Sequence, residues 1–134
     1  MSEQQNLQTV ESIYDAFGRG DVEAILGCLA DDVDWATDTD STGAPWYGVR
    51  RDKDGVARFF SDLADAIDVS EFALDSIAAA GEDVHAVLRF GFSAQESGRR
   101  AMMHLHHFWR FRDGKVVYYR GSEDTAITER TLAP

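Results

Sequence analysis

The chain has 134 residues, 44% of them hydrophobic, which is enough for one domain over residues 1–134 with a substantial core. Its formal net charge is −11, and Arg19 is the only basic residue before Arg50, so binding to nucleic-acid phosphates is not expected. No apolar run approaches the roughly 20 residues of a membrane span, and the first residues lack a signal-peptide pattern. We therefore expect a cytoplasmic protein that binds neither membrane nor nucleic acid.

Three helices are predicted in the first half of the chain. Apolar residues at helical spacing indicate an amphipathic helix over roughly residues 3–18. Asp21 is placed to cap a second, shorter helix. Asp52 or Asp54 can cap a third helix, whose apolar stripe includes Phe60.

The strands are predicted mainly in the second half. The segment VDWAT, residues 33–37, indicates a short strand that is followed by a loop over residues 38–47. Four long segments separated by short turns then predict an antiparallel meander over residues 71–81, 83–95, 100–111 and 115–126. Helices followed by a curved sheet give an α+β fold, with the helices on one sheet face.

The turn between the last two predicted strands decides which of their side chains lie on the same face of the sheet. We expect a type I turn with a bulge at Gly114. A bulge shifts the alternation of side chains by one residue. His107 and Trp109 would then share a face with Tyr119 and Glu123, whereas without the bulge they would lie on opposite faces.

Three segments carry a family resemblance: YDAFGRGDVEAILGCLADDVDW, PWYGVRRDKDGVARFF and HHFWRFRDGKVVYYRGSEDTA. They resemble the SnoaL-like, ketosteroid-isomerase-related branch of the NTF2-like superfamily. The resemblance implies a cone, in which a strongly bent, mostly antiparallel sheet wraps around three N-terminal helices and encloses an apolar pocket. It also implies a homodimer. We place the dimer contact on the outer sheet face, because both faces of HLHHFWRF carry large side chains.

The family's catalytic groups are not carried over. By the resemblance, the oxyanion-hole tyrosine of ketosteroid isomerases falls at Ile13, the aspartate base at Thr37 and the oxyanion-hole acid at His107. The acid/base residue of SnoaL-type polyketide cyclases falls at Gly121. Steroid isomerisation is therefore not expected, and a histidine at position 107 suits a cyclase better.

His107 is the first candidate for catalysis. Its imidazole has a reference pKa of about 6.5 and can switch near neutrality, so it can relay a proton or polarise a carbonyl. Tyr119, Glu123 and Asp38 are expected to assist, the last if the loop turns its carboxyl toward the cone mouth. The alternative for His107 is a buried structural or interface residue.

Seven further residues are candidates for ligand contacts: Tyr14, Trp35, Thr37, Trp46, Phe60, Arg89 and Trp109. Arg89 interrupts an apolar strand, so it requires either an anionic ligand inside the cone or an acidic partner at the dimer contact. His104 and His106 supply at most two metal ligands, fewer than a zinc site needs. We therefore expect neither a metal nor another cofactor.

Three functions are compatible with these residues. The favoured one is binding of a small hydrophobic carbonyl compound, with cofactor-free acid–base chemistry of isomerase, cyclase or lyase type at His107. The second is a binding module without chemistry. The third is a structural dimer with a filled cone, which a cavity well under about 300 Å³ would favour.

Overall fold

The computed structural model describes residues 2–134 as four helices and one five-stranded sheet, which confirms the α+β class. The elements in chain order are α1 (Glu3–Arg19), α2 (Val22–Leu26), β1 (Leu29–Thr37), α3 (Lys53–Ala66), β2 (Ile67–Ala80), β3 (Asp83–Ala94), β4 (Arg100–Arg112), β5 (Lys115–Ser122) and α4 (Thr125–Leu132). Within this part of the chain, no helix combines the length and apolar character needed to cross a bilayer.

Polar side chains cap the helices near the predicted positions. Ser2 and Gln5 form a reciprocal capping box at the start of α1. Asp21 accepts a hydrogen bond from the backbone of Ala24 and so begins α2. Asp52, and not Asp54, caps α3.

The sheet has the strand order β1-β5-β4-β3-β2. The strands β2 to β5 form the predicted antiparallel meander, and β1 pairs in parallel with β5. The prediction of a strand up to residue 126 is wrong, because β5 ends at Ser122 and Asp124 caps the helix α4 by accepting from the backbone of Ile127. Helix α4 has no counterpart in the predicted elements.

The turn between β4 and β5 differs from the prediction, but its effect on side-chain direction is the predicted one. Asp113 and Gly114 both have positive φ, 51° and 77°, which is the geometry of a two-residue type I′ turn. The register shifts further along, where Arg110 pairs with Tyr118 but Phe111 pairs with Val116. Val117 is therefore the extra residue of the bulge.

One sheet face packs against the helices and forms the core. Alternate residues of β3 and β4 are buried there: Val84, Ala86, Leu88, Phe90, Phe92, Ala101, Met103, Leu105, Trp109 and Phe111. The opposite, outer face carries charged and half-exposed side chains. This division sets which predicted site residues can meet.

Two glycine substitutions should have opposite effects on stability. Gly114→Ala forces an L side chain into the left-handed region at φ 77° and should lower the free energy of unfolding by about 1 kcal/mol. Gly18→Ala, inside α1 with nothing within 4 Å of the added Cβ, should raise it by about 0.5–1 kcal/mol. Urea unfolding measures both variants, and an unchanged or raised free energy of unfolding for Gly114→Ala would contradict the assigned turn.

Candidate functional site

A small apolar cavity lies between the helices and the inner sheet face. Its volume is about 80 Å³. Its lining residues include Tyr14, Trp35, Thr37, Trp46, Phe60, His107, Trp109, Tyr119 and Glu123. Taken alone, this volume lies well under the about 300 Å³ of usual ligand pockets and favours the filled cone. The polar groups in the wall favour a binding site.

A chain of buried hydrogen bonds crosses the cavity wall. The indole Nε1 of Trp109 donates to the Tyr14 hydroxyl over 3.0 Å, and that hydroxyl lies 2.8 Å from His107 Nδ1. Because the tyrosine oxygen already accepts from Trp109, its own proton is best used by donation to Nδ1. The remaining imidazole proton then lies on Nε2, which has no hydrogen-bond partner within residues 2–134 and is not sealed from solvent.

Burial controls the protonation of these groups. It lowers the pKa of His107 to about 3, with a smaller effect from the nearby His106. Burial also raises the pKa of Tyr14 and that of Tyr119 above the ordinary tyrosine value. This lowered pKa contradicts the expectation that His107 switches its charge near neutrality, because burial favours the neutral imidazole.

Glu123 supplies the carboxylate of the cavity wall. It accepts hydrogen bonds from the indole of Trp46 at 3.1 Å, the hydroxyl of Tyr47 at 2.8 Å and the hydroxyl of Thr128 at 2.6 Å. Trp46 and Tyr47 come from the loop between β1 and α3, and Thr128 comes from α4. Glu123 thus joins the loop, the end of β5 and the last helix at one point.

Position 121, where the resemblance places the acid/base residue of SnoaL-type cyclases, has no room for a side chain. Gly121 pairs with His107 across β4 and β5. A Cβ at position 121 would lie 3.0 Å from Cζ of Tyr119 and 3.4 Å from Cδ2 of His107. The tyrosine ring therefore occupies the space that an acidic side chain at this position would need.

Asp38 does not join the cavity, contrary to its predicted catalytic role. Its side chain is exposed, and it borders a groove on the outer sheet face with His106 and Arg120. Its backbone N–H donates to the carbonyl of Gly121 at 2.7 Å. This bond continues the β1–β5 pairing past the end of β1, so the loop backbone does not turn Asp38 inward.

Arg89 also lies outside the cavity, and its prediction as a ligand contact is wrong. It lies on the outer sheet face, where the guanidinium contacts Glu71 at 2.6 Å and Asp75 at 2.9 Å. The acidic partner expected for an arginine in this strand is thus supplied within the chain. His104 and His106 are exposed on the same outer face, as the resemblance implies.

Several contributors to the site were not predicted. Tyr47 and Thr128 hold Glu123, while Phe17 and Phe72 line the cavity. Phe17 is one of the apolar residues at helical spacing in α1, and that pattern alone indicates a place in the core rather than a contact with a ligand. Thr128 lies in α4, which was not predicted. The signal that could have indicated this helix is Asp124, a residue type that commonly caps a helix.

The comparisons with known proteins agree with this architecture. The profile of the SnoaL-like domain matches residues 10–119, and no curated protein sequence matches. The fold is similar to an NTF2-like protein of unknown function from Burkholderia pseudomallei, with a TM-score of 0.88, 29% identity and 100% coverage of both chains.

Two further solved structures share the fold at lower identity. One is a candidate polyketide cyclase from Xanthomonas campestris, with a TM-score of 0.77, 18% identity and 98% coverage of both chains. The other is an LEH-like epoxide hydrolase from M. tuberculosis, with a TM-score of 0.75 and 15% identity over 97% of this chain and 90% of the other. These likenesses confirm the NTF2-like fold.

The lowered pKa of His107 predicts a specific pH dependence of stability. Since the unfolded chain binds this proton at about pH 6.5 and the folded protein only near pH 3, stability is lost as the pH falls through that window. Between pH 6.5 and 5 the loss should be about 1–2 kcal/mol. His107→Gln should remove this part of the pH dependence in urea unfolding, and His85→Gln, an exposed control, should not. Equal slopes for the wild type and His107→Gln would contradict the burial of an uncharged His107.

Proposed function

The chain belongs to the SnoaL-like domain family, and from this premise we propose that it binds a small neutral carbonyl compound in the cavity and moves a proton at the carbon next to the carbonyl. The observation that carries the proposal is the hydrogen-bond chain from Trp109 through Tyr14 to His107. It favours the tautomer with the proton on Nε2 and leaves that donor without a partner in a residue that lines the cavity. A structural cone has no need of such an unused donor.

The proposed reaction uses two groups. The carbonyl oxygen accepts from Nε2–H of His107, which stabilises the negative charge that develops on this oxygen. Glu123, the only carboxylate that lines the described cavity, takes the proton from the adjacent carbon. The C–H electron pair forms the enolate double bond, and return of a proton from Glu123 to carbon completes the exchange. A neutral imidazole serves well here because it donates without having to lose a charge.

The electrostatics of the wall favour a neutral ligand. The residues that line the cavity include neither lysine nor arginine, and its one carboxyl group is that of Glu123. A carboxylate or phosphate ligand would enter without a compensating charge, which is costly in an apolar site. The buried indole N–H of Trp35 also has no hydrogen-bond partner within residues 2–134, and a ligand oxygen would remove the cost of leaving it unpaired.

The second candidate is binding without chemistry. Two observations favour it. Positions Thr37 and Gly121 lack the acidic groups of the family's enzymes, and the carboxyl oxygens of Glu123 already accept hydrogen bonds from three donors. The two candidates differ in proton transfer and agree in ligand binding. An exchange assay therefore separates them.

Proton transfer can be measured as hydrogen–deuterium exchange into 2-butanone in D₂O, followed by NMR. We expect the protein to accelerate exchange next to the carbonyl. His107→Ala should abolish the acceleration, and Tyr14→Phe should lower it by at least about tenfold, because a hydrogen bond to the imidazole is lost. His106→Ala, which removes the neighbouring outer-face histidine, is the matched control.

Binding of 2-butanone is measured alongside exchange, by chemical-shift changes at His107. If 2-butanone binds but exchange runs at the buffer rate, the binding module is the correct candidate. If Glu123→Gln keeps binding and loses exchange, Glu123 is the base. If exchange is equally fast in the wild type and His107→Ala, the proposed role of His107 is wrong.

We also propose that a second copy of the chain packs on the outer sheet face. Apolar side chains are interspersed there with ion pairs, among them the half-buried Val87 and Phe108 and Met102, which is 54% exposed. A dimer would bury this patch. Sedimentation velocity should give a dimer for the wild type and a monomer for Phe108→Glu, while Val49→Glu, at an exposed position in a loop, stays dimeric. A monomeric wild type would contradict the proposal.

A further inference from the structure

The cavity and a surface groove share part of one wall. The groove lies on the outside of the helices, near the end of α1 and the start of β2, and has a volume of about 430 Å³. Four side chains line both spaces: Phe17, Ile25, Phe60 and Leu63. At this place the wall between cavity and groove is therefore one side chain thick.

Phe17 and Phe60 are the less buried part of this wall. Both are only partly buried, whereas Ile25 and Leu63 are buried. The ring centroids of Phe17 and Phe60 are 6.0 Å apart and the rings are tilted by 45°, so the two rings pack against each other at this part of the wall. The ring of Phe17 lies 4.7 Å from that of Phe72, which lies 5.7 Å from that of Tyr14. A continuous path of aromatic rings thus leads from the groove to the hydrogen-bond partner of His107.

The groove has the chemistry of a hydrocarbon site. Apart from the shared side chains, its apolar lining comes from Val22, Ala64, Ile67 and Val69, and the only charged residue that lines it within residues 2–134 is Asp68. Val69 is 43% exposed, so a large part of this apolar side chain is left uncovered by its own chain. A neutral alkyl chain would cover it, whereas an anionic group would face the carboxylate of Asp68.

We propose that the groove binds the alkyl tail of the cavity's ligand, which passes between the rings of Phe17 and Phe60 when they turn aside. This inference rests on the proposed function, which sets the carbonyl head at His107. The ligand class is then a neutral, medium-chain carbonyl compound with an unbranched apolar tail. The inference also accounts for the size of the cavity, since about 80 Å³ holds the head alone and the groove supplies the space for the remainder.

The test is a chain-length series of 2-ketones, from 2-butanone to 2-nonanone, bound to the full-length protein and measured by NMR titration. Affinity should rise about two- to fourfold for each added methylene. The readout is the Kd of 2-butanone divided by the Kd of 2-nonanone. Val69→Asp, which adds a charge to the groove, should lower this ratio at least tenfold. Val49→Asp, the same substitution at an exposed position outside both spaces, should preserve it.

Phe60→Ala provides a second variant that acts on the wall. Removing the ring should speed binding of 2-nonanone at least several-fold, because the tail no longer waits for a side-chain rotation. Thermal melts verify that each variant is folded. If 2-butanone and 2-nonanone bind equally tightly to the wild type, or if Val69→Asp and Val49→Asp change the ratio alike, the tail site is overturned while the head site stands. If no ketone of any length binds, the proposed function fails and the tail site fails with it.

Discussion

The site depends on one extra residue in a sheet. Side chains alternate along a strand, so the pairing of β4 with β5 decides whether His107 and Tyr119 face the same side. The bulge at Val117 changes that alternation between the turn and the site, and beyond it His107 pairs with Gly121 and Trp109 with Tyr119. Without the bulge, the face of β5 that carries Tyr119 and Glu123 would turn toward solvent.

Once these groups face inward, burial determines their chemistry. Burial among aromatic rings favours the neutral form of the His107 imidazole, so in the proposed reaction it donates a hydrogen bond rather than carries charge. Glu123 has the opposite environment, because Trp46, Tyr47 and Thr128 supply donors that suit a carboxylate. The largely apolar lining therefore includes the imidazole of His107 and the carboxyl group of Glu123.

Local patterns were sufficient for most of the fold and part of the site. The caps at Asp21 and Asp52 and the two-residue alternation of β3 and β4 are short-range signals, and the structure has them. A bulge between β4 and β5 was predicted, but at Gly114 instead of Val117. The reason is that an Asp-Gly turn is compatible with both a type I turn with a bulge and a type I′ turn. Arg89 and the pKa of His107 depend on which side chains from distant segments surround them, and no local pattern contains that information.

The parallel pairing of β1 with β5 has a consequence for how the protein is made. Leu29 pairs with Val116. The strand β1 therefore cannot form its pairing until β5, which follows all the other strands, has been synthesised. Until β5 leaves the ribosome, β1 has no neighbour and β4 presents an unpaired edge, which is the kind of edge that other chains can join. Contacts between such distant segments slow folding. The sheet can therefore be completed only after β5 has been synthesised, and the helices of the first half cannot enclose a cavity before that.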